Sequence, residues 1–309
     1  MSDFRGRDFL TLMDYSKADI LCFLETAADL KRKRRRREPH DYLNGYSVGL
    51  LFEKRSTRTR VSFQAGMAQL GIQSFYLRPD ELQLGRGEPI SDTARVIDRY
   101  CDALFIRTYG QDIVEEFSKW MTNPVINALT DLVHPCQGLA DLLTIQEKKN
   151  RLEGLKLAYT GDLHNVAHSL IICGATFGFD VYIAGPEAYK PNQRVWDCAR
   201  ERAKTTGAEL ILTTNFEEAL DQADVVYANT FHSMGVEDIE KRVREYQDFQ
   251  VNERTLSLAK PDAIFMHCLP GYRGEEMSPE VIEGPQSVVW DQAENRMHTE
   301  KAVLVLTLL

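Results

Sequence analysis

The sequence predicts an α/β fold with parallel sheets covered by helices on both faces. Three observations carry this. Short apolar, β-rich runs recur along the chain, and they alternate with longer segments whose apolar residues keep helical spacing and which close on turn residues. The length of 309 residues, at about 100–200 residues per domain, suggests two such domains.

In chain order, the first half offers strands at 47–52 (SVGLLF), 103–108 (ALFIRT) and 124–129 (PVINAL), with a weaker one at 73–77. The second half offers 155–160 (LKLAYT), 180–185 (DVYIAG), 209–213 (ELILT), 223–228 (ADVVYA), 263–269 (AIFMHCL) and 287–290 (SVVW). A polar stretch, Lys148-Lys149-Asn150-Arg151, closes the helix that follows His134-Pro135 and marks a boundary between domains at 1–148 and 149–292. From about Ala293 the chain reads as a final helix, 293–309, that need not belong to the second domain. In parallel sheets ligands gather beyond the carboxyl ends of the strands, so chemistry is expected just after each run.

Composition narrows the function. With 37 Lys plus Arg against 46 Asp plus Glu, a net charge of −9, the chain lacks the broad basic face that nucleic acid requires. Hydrophobic residues make up 43% and charged residues 27%, which excludes a disordered or collagen-like chain. No apolar run approaches the roughly 18 residues of a membrane-spanning helix, and the charged start, MSDFRGRD, does not resemble a secretory signal, so a cytoplasmic location is expected. Cysteines at 22, 101, 136, 173, 198 and 268 form no Cys-x-x-Cys pair, which fits reduced thiols better than disulfides or structural zinc. The basic run from Lys31 to Arg37 reads as a solvated helix end before Pro39, where cations complement the helix dipole.

Four strand ends carry candidate chemistry. After the first strong strand, Phe52-Glu53-Lys54-Arg55-Ser56-Thr57-Arg58-Thr59-Arg60 opens a helix and puts hydroxyls and a guanidinium beside its amino-terminal amides, which suits a phosphate. Neither a P-loop nor a Gly-x-Gly-x-x-Gly turn occurs. An ordinary capped helix start is the competing reading. Arg107 closes the ALFIRT run, where it suits a phosphate or a polarised carbonyl. His134 and Gln137 flank Pro135 at another helix start, where they suit a carbonyl oxygen or serve as a cap. His267-Cys268-Leu269-Pro270-Gly271 breaks the backbone after AIFM and offers carbonyls and a sulfur, but no third group makes Cys268 a nucleophile. His164 and His168, four apart, lack the intervening Glu and third ligand of a metal site and read as structural.

Ser-Thr-Arg-Thr, His-Pro-Cys-Gln and His-Cys-Leu-Pro, in this order and spacing, resemble the aspartate/ornithine carbamoyltransferase family. Asp-Thr-Ala-Arg-Val at 92–96, Ser233-Met234-Gly235 and Asp291-Gln292-Ala293-Glu294-Asn295-Arg296 resemble its ornithine branch, and the resemblance runs from about residue 5 to the end. It implies two doubly wound domains joined by two interdomain helices, with the carboxyl-terminal helix packed on the first domain. It further implies a homotrimer or an assembly of trimers, and no metal or organic cofactor.

By this resemblance, carbamoyl phosphate meets Ser56, Thr57, Arg58 and Thr59 through its phosphate. Arg107, His134, Gln137 and Arg296 reach or flank its carbamoyl group, and Gln83 enters from a neighbouring subunit. Cys268 and Leu269 lie beside the carbamoyl group and face the reacting amine. Ornithine meets Asn165, Asn229, Ser233 and Met234; catalysis falls to Arg58, Arg107, His134 and Cys268. The implied reaction gives citrulline and phosphate.

Two positions depart from the pattern. Asn229 stands where the ornithine branch usually carries an aspartate for the substrate's α-ammonium, and Gly271-Tyr272 follows His-Cys-Leu-Pro where a small residue and histidine are frequent. Transfer to a different amine or diamino acid is therefore the main rival, and a non-catalytic binding protein on the same fold is the other.

Overall fold

The computed structural model describes residues 3–54, 56–232 and 238–309. Two compact units emerge: Met1–Leu143 together with Glu294–Leu309, and Thr144–Ala293. Both boundaries fall inside helices, Pro135–Lys149 and Val289–Leu308, so the chain passes between units as helix each time.

The first unit is built on strands β1 (Ser47–Phe52), β2 (Gln73–Leu77), β3 (Ala103–Arg107) and β4 (Val125–Leu129), all parallel in the order β2-β1-β3-β4. β3 and β4 are buried throughout and β1 nearly so, the continuous apolar run expected of strands covered on both faces. β2 is the edge strand and stays half exposed, with Phe75 50% exposed. The helix Thr57–Leu70 packs Phe63 against Phe105, ring centroids 4.2 Å apart. Phe4, Phe9, Tyr15 and Phe23 form a second aromatic cluster, and the Phe9 backbone pairs with β4.

The helix Lys17–Arg36 begins in a Ser16/Asp19 capping box and ends at Arg37 in the left-handed region. Its basic last turn is largely solvated, as the dipole reading expects, but Lys31 departs from it. Lys31 is buried and donates to Asn295 Oδ1 at 2.6 Å, tying this helix to the carboxyl-terminal one.

The second unit contains β5 (Lys156–Thr160), β6 (Asp180–Ala184), β7 (Leu210–Thr213), β8 (Val225–Ala228) and β9 (Ile264–His267), again all parallel, in the order β7-β6-β5-β8-β9. The order reverses beside β5, and its neighbours are in register so that Thr160 pairs with Ala228 and Ala228 with His267. The residues just beyond these three ends are therefore adjacent. Gly161, at φ +131°, is required there: a Cβ would lie 2.4 Å from the Asn229 carbonyl oxygen.

One expected strand is absent. The run 287–290 contributes only a bridge from Ser287 to Phe265, and the helix starts at Val289. Val289 points into the core while Trp290 is 57% exposed, so the run's apolar residues begin a helix face instead of a strand.

Candidate active site

In the first unit the carboxyl ends of β1, β3 and β4 carry the predicted phosphate and carbonyl groups. Ser56 is the cap of the Thr57–Leu70 helix, its hydroxyl accepting from the Thr59 amide at 3.2 Å. Capping and anion binding are compatible, since a capped helix start still presents its positive end. Thr57 is exposed, Arg58 half-buried and Thr59 buried in that first turn.

Two guanidiniums converge on Thr59. Arg107 Nη1 and Arg296 Nη2 each lie 3.5 Å from Thr59 Oγ1, and both arginines are buried. Register explains half of this: Arg107 ends β3 opposite Phe52, the last residue of β1 before the Ser-Thr-Arg turn. Arg296 comes from the carboxyl-terminal helix and is held by a chain of contacts. Its Nη1 donates to Gln137 Oε1 at 2.9 Å, and Gln137 Nε2 donates to Asp141 Oδ1 at 2.7 Å. Its Nε and Nη2 both donate to Glu300 Oε1, at 3.2 and 2.8 Å.

His134 heads the helix Pro135–Lys149, and its carbonyl accepts the Gln137 and Gly138 amides. Burial, then the charges of Arg296 and Arg107, hold its imidazole well below the usual histidine range. It is therefore neutral at pH 7, the state in which an imidazole carries one N–H donor and one acceptor nitrogen. Burial pushes the Glu300 carboxyl up to about 7, against the opposing pull of Arg296. Gln83 lies apart, exposed in the short turn Gln83–Arg86 after β2.

Beyond β5, β8 and β9 the second unit gathers Asn165, Asn229 and Cys268. Asn165 is the buried first residue of the helix Asn165–Phe177. Asn229 is 4% exposed; its Oδ1 accepts from Cys268 Sγ at 3.1 Å and its Nδ2 donates to Tyr159 Oη at 3.1 Å. Leu269 follows with φ +57° and a cis bond to Pro270. The turn is pinned by His267, whose Nδ1 accepts the Leu269 amide at 2.8 Å while Nε2 faces buried Glu276 at 3.0 Å. Gly271 is close to Met277, where a Cβ would meet the Met277 methyl, and Tyr272 packs on His232. Ser233 and Met234 lie outside the described residues.

His164 and His168 keep 6.4 Å between ring centroids, and His168 Nε2 accepts the Asn192 amide, a structural contact. Among the described residues no group of three or more His, Cys, Asp or Glu is placed to hold a metal.

Sequence reading missed several supporting side chains. Lys54, buried, is paired with Asp131 and lies over the Tyr109 ring at 4.1 Å, joining the turns after β1 and β4. Glu300 had a usable signal, since it stands four residues after Arg296 on one helix face. Tyr159 had none, because inside LKLAYT it looks like one more core aromatic.

Residues 7–147 match the model described as "Aspartate/ornithine carbamoyltransferase, carbamoyl-P binding domain", and residues 153–307 match its "Asp/Orn binding domain". Ornithine carbamoyltransferase of Halalkalibacterium halodurans is 52% identical over 306 residues, covering 99% of this chain and 96% of that protein. The structure of ornithine carbamoyltransferase from Pyrococcus furiosus superposes with a TM-score of 0.96 at 48% identity, covering 100% of this chain and 99% of that one. An N-acetyl-L-ornithine transcarbamylase structure aligns with a TM-score of 0.87 at 31% identity, over 96% and 98% of the two chains. With both family models matched and identity near one half along its length, the chain belongs to the aspartate/ornithine carbamoyltransferase family.

Proposed function

We propose that this protein transfers the carbamoyl group of carbamoyl phosphate to the side-chain amine of L-ornithine, giving L-citrulline and phosphate. The observation that carries the reading is the convergence of Arg107 and Arg296 on Thr59, beside a neutral His134 and a helix start bearing Ser56, Thr57 and Arg58. Two cations and a helix amino terminus suit a phosphate, and a neutral imidazole suits a carbonyl oxygen.

In this reading Ser56, Thr57, Arg58 and Thr59 hold the phosphate. Arg107 and His134 stabilise the oxyanion that develops as the amine attacks the carbamoyl carbon, and Arg58 stabilises the departing phosphate. Gln137 and Arg296 fix the carbamoyl end, Gln137 also bridging Arg296 to Asp141. Asn165, Asn229, Ser233 and Met234 hold the amino acid, while Cys268 and the Leu269 carbonyl orient its reacting amine. Phosphate is a good leaving group, so the enzyme's main task is to position and desolvate the reactants. The carboxyl-terminal helix serves with the carbamoyl-phosphate domain, which the placement of Glu294–Leu309 in the first unit supports.

A homotrimer, with Gln83 serving a neighbouring subunit, belongs to the same proposal. Gln83 is exposed, and Phe75, Val96 and Tyr100 leave apolar surface on the same unit at 50%, 50% and 74% exposure. Six free cysteines fit a reducing compartment, the cytoplasm, and no helix among the described residues is long and apolar enough to cross a membrane.

Two kinetic results test the amine side. The attacking amine must be neutral, and its solution pKa is about 10.4. Because His134 is held neutral by burial and two arginines, it adds no titration near pH 7, so kcat/KM for ornithine should climb about tenfold per pH unit from 7 to 9. A steady fall over that range with the protein still folded contradicts an amine nucleophile. The second concerns Asn229, which offers an α-ammonium only a neutral oxygen. Asn229→Asp should add a charge-assisted bond worth roughly 1.5–3 kcal/mol and lower the ornithine KM about tenfold. If the variant shows no gain while another amine reacts faster with the wild type, the amino-acid assignment fails and carbamoyl transfer stands.

A further inference from the structure

The side-chain amide of Asn229 sits between two neighbours with opposite needs. Tyr159, on the adjacent strand β5, donates its hydroxyl proton to the Asp162 carbonyl oxygen at 2.7 Å. A backbone carbonyl is an acceptor only, so the single hydroxyl proton of Tyr159 is committed to it. Toward Asn229, 3.1 Å away, the hydroxyl can only accept. The amide must therefore turn Nδ2 to Tyr159 and Oδ1 to Cys268, whose sulfur lies 3.1 Å from that oxygen. A flipped amide would set two oxygens without a shared proton against each other inside the protein, which costs about 1–3 kcal/mol. Burial keeps the Tyr159 phenol protonated, holding its pKa far above the usual range.

We propose that Tyr159 is a positioning residue that fixes the Asn229 amide, so that a carbonyl oxygen is presented to the Cys268 thiol and to the amino group of the bound amino acid. The latter half rests on the reading of Asn229 as an amino-acid contact. The Asp162 carbonyl is the anchor of the device, and Asp162 is itself held by an ion pair from its carboxylate to Arg242 at 2.9 Å. A purely apolar role for Tyr159 would be filled equally well by phenylalanine.

Tyr159→Phe removes the acceptor and keeps the ring. The ornithine KM should rise about tenfold, the size of one lost hydrogen bond, while the carbamoyl phosphate KM stays within about twofold. Independently of turnover, iodoacetamide modification of the Cys268 peptide at pH 8, followed by mass spectrometry, should speed up severalfold, because a freed amide can turn an N–H toward the sulfur and favour the thiolate. The control is the same change in an Asn229→Ala background, where there is no amide to orient and Tyr159→Phe should alter alkylation by less than about twofold. No change in the Asn background, or equal changes in both, overturns the proposal. If the wild type fails to carbamoylate ornithine, the substrate reading fails, and the alkylation contrast still decides the orientation of the amide.

Discussion

Arg58→Ala is expected to lower kcat by about 100-fold or more with carbamoyl phosphate, a loss of several kcal/mol of transition-state stabilisation. Arg58 stands in the first turn of the Thr57–Leu70 helix, one residue before the Thr59 on which Arg107 and Arg296 converge. Charge builds on the phosphate as the carbamoyl bond breaks, so a guanidinium there gains more in the transition state than in the ground state. The loss should therefore appear in kcat as well as in kcat/KM. Near-normal turnover in Arg58→Ala, measured under saturating substrates, would remove Arg58 from the phosphate set.

Arg296→Ala should cost about 3–5 kcal/mol of folding stability at pH 8, because it leaves a buried carboxylate without its cation. Glu300 is 1% exposed and gives one oxygen to both Arg296 Nε and Nη2. Adding Glu300→Gln to that variant should recover most of the loss, since an amide needs no counter-charge. The sign of the pH dependence follows from Glu300 itself. Its folded pKa, about 7, lies above the ordinary 4.5, so the folded state binds the proton more tightly. The stabilising contribution is complete below pH 4.5 and is lost as pH rises through 7. Relative to Glu300→Gln, the wild type should lose about 3 kcal/mol between pH 4.5 and 8. Urea melts of the three variants across that range give both numbers, and parallel curves would contradict a buried ionising Glu300.

Much of the fold was legible because parallel strands covered on both faces are apolar along most of their length. Runs such as SVGLLF and ALFIR announce themselves without any periodicity. The same property misled at 287–290, where the three apolar residues after Ser287 are too few to separate a strand from the first turn of a helix. The candidate site was legible where it follows a strand directly, as with Ser56, Arg107 and Cys268, because strand ends fix both position and exposure. Residues that act through packing were not. Tyr159 and Lys54 resemble core and surface by type, and only the three-dimensional pairing with Asn229 and Asp131 gives them a role. Asn229 itself was read from its place in a motif, and its contacts with Cys268 and Tyr159 come from the register of β5, β8 and β9.

A substrate panel decides the identity of the reaction. The purified protein is given carbamoyl phosphate with ornithine, N-acetylornithine, putrescine, lysine or aspartate in turn, and ureido product and phosphate release are measured together. Ornithine is expected to give citrulline and phosphate in equal amounts, with the highest kcat/KM of the panel. A higher kcat/KM for any other amine, or phosphate release without a ureido product, would contradict carbamoyl transfer to ornithine.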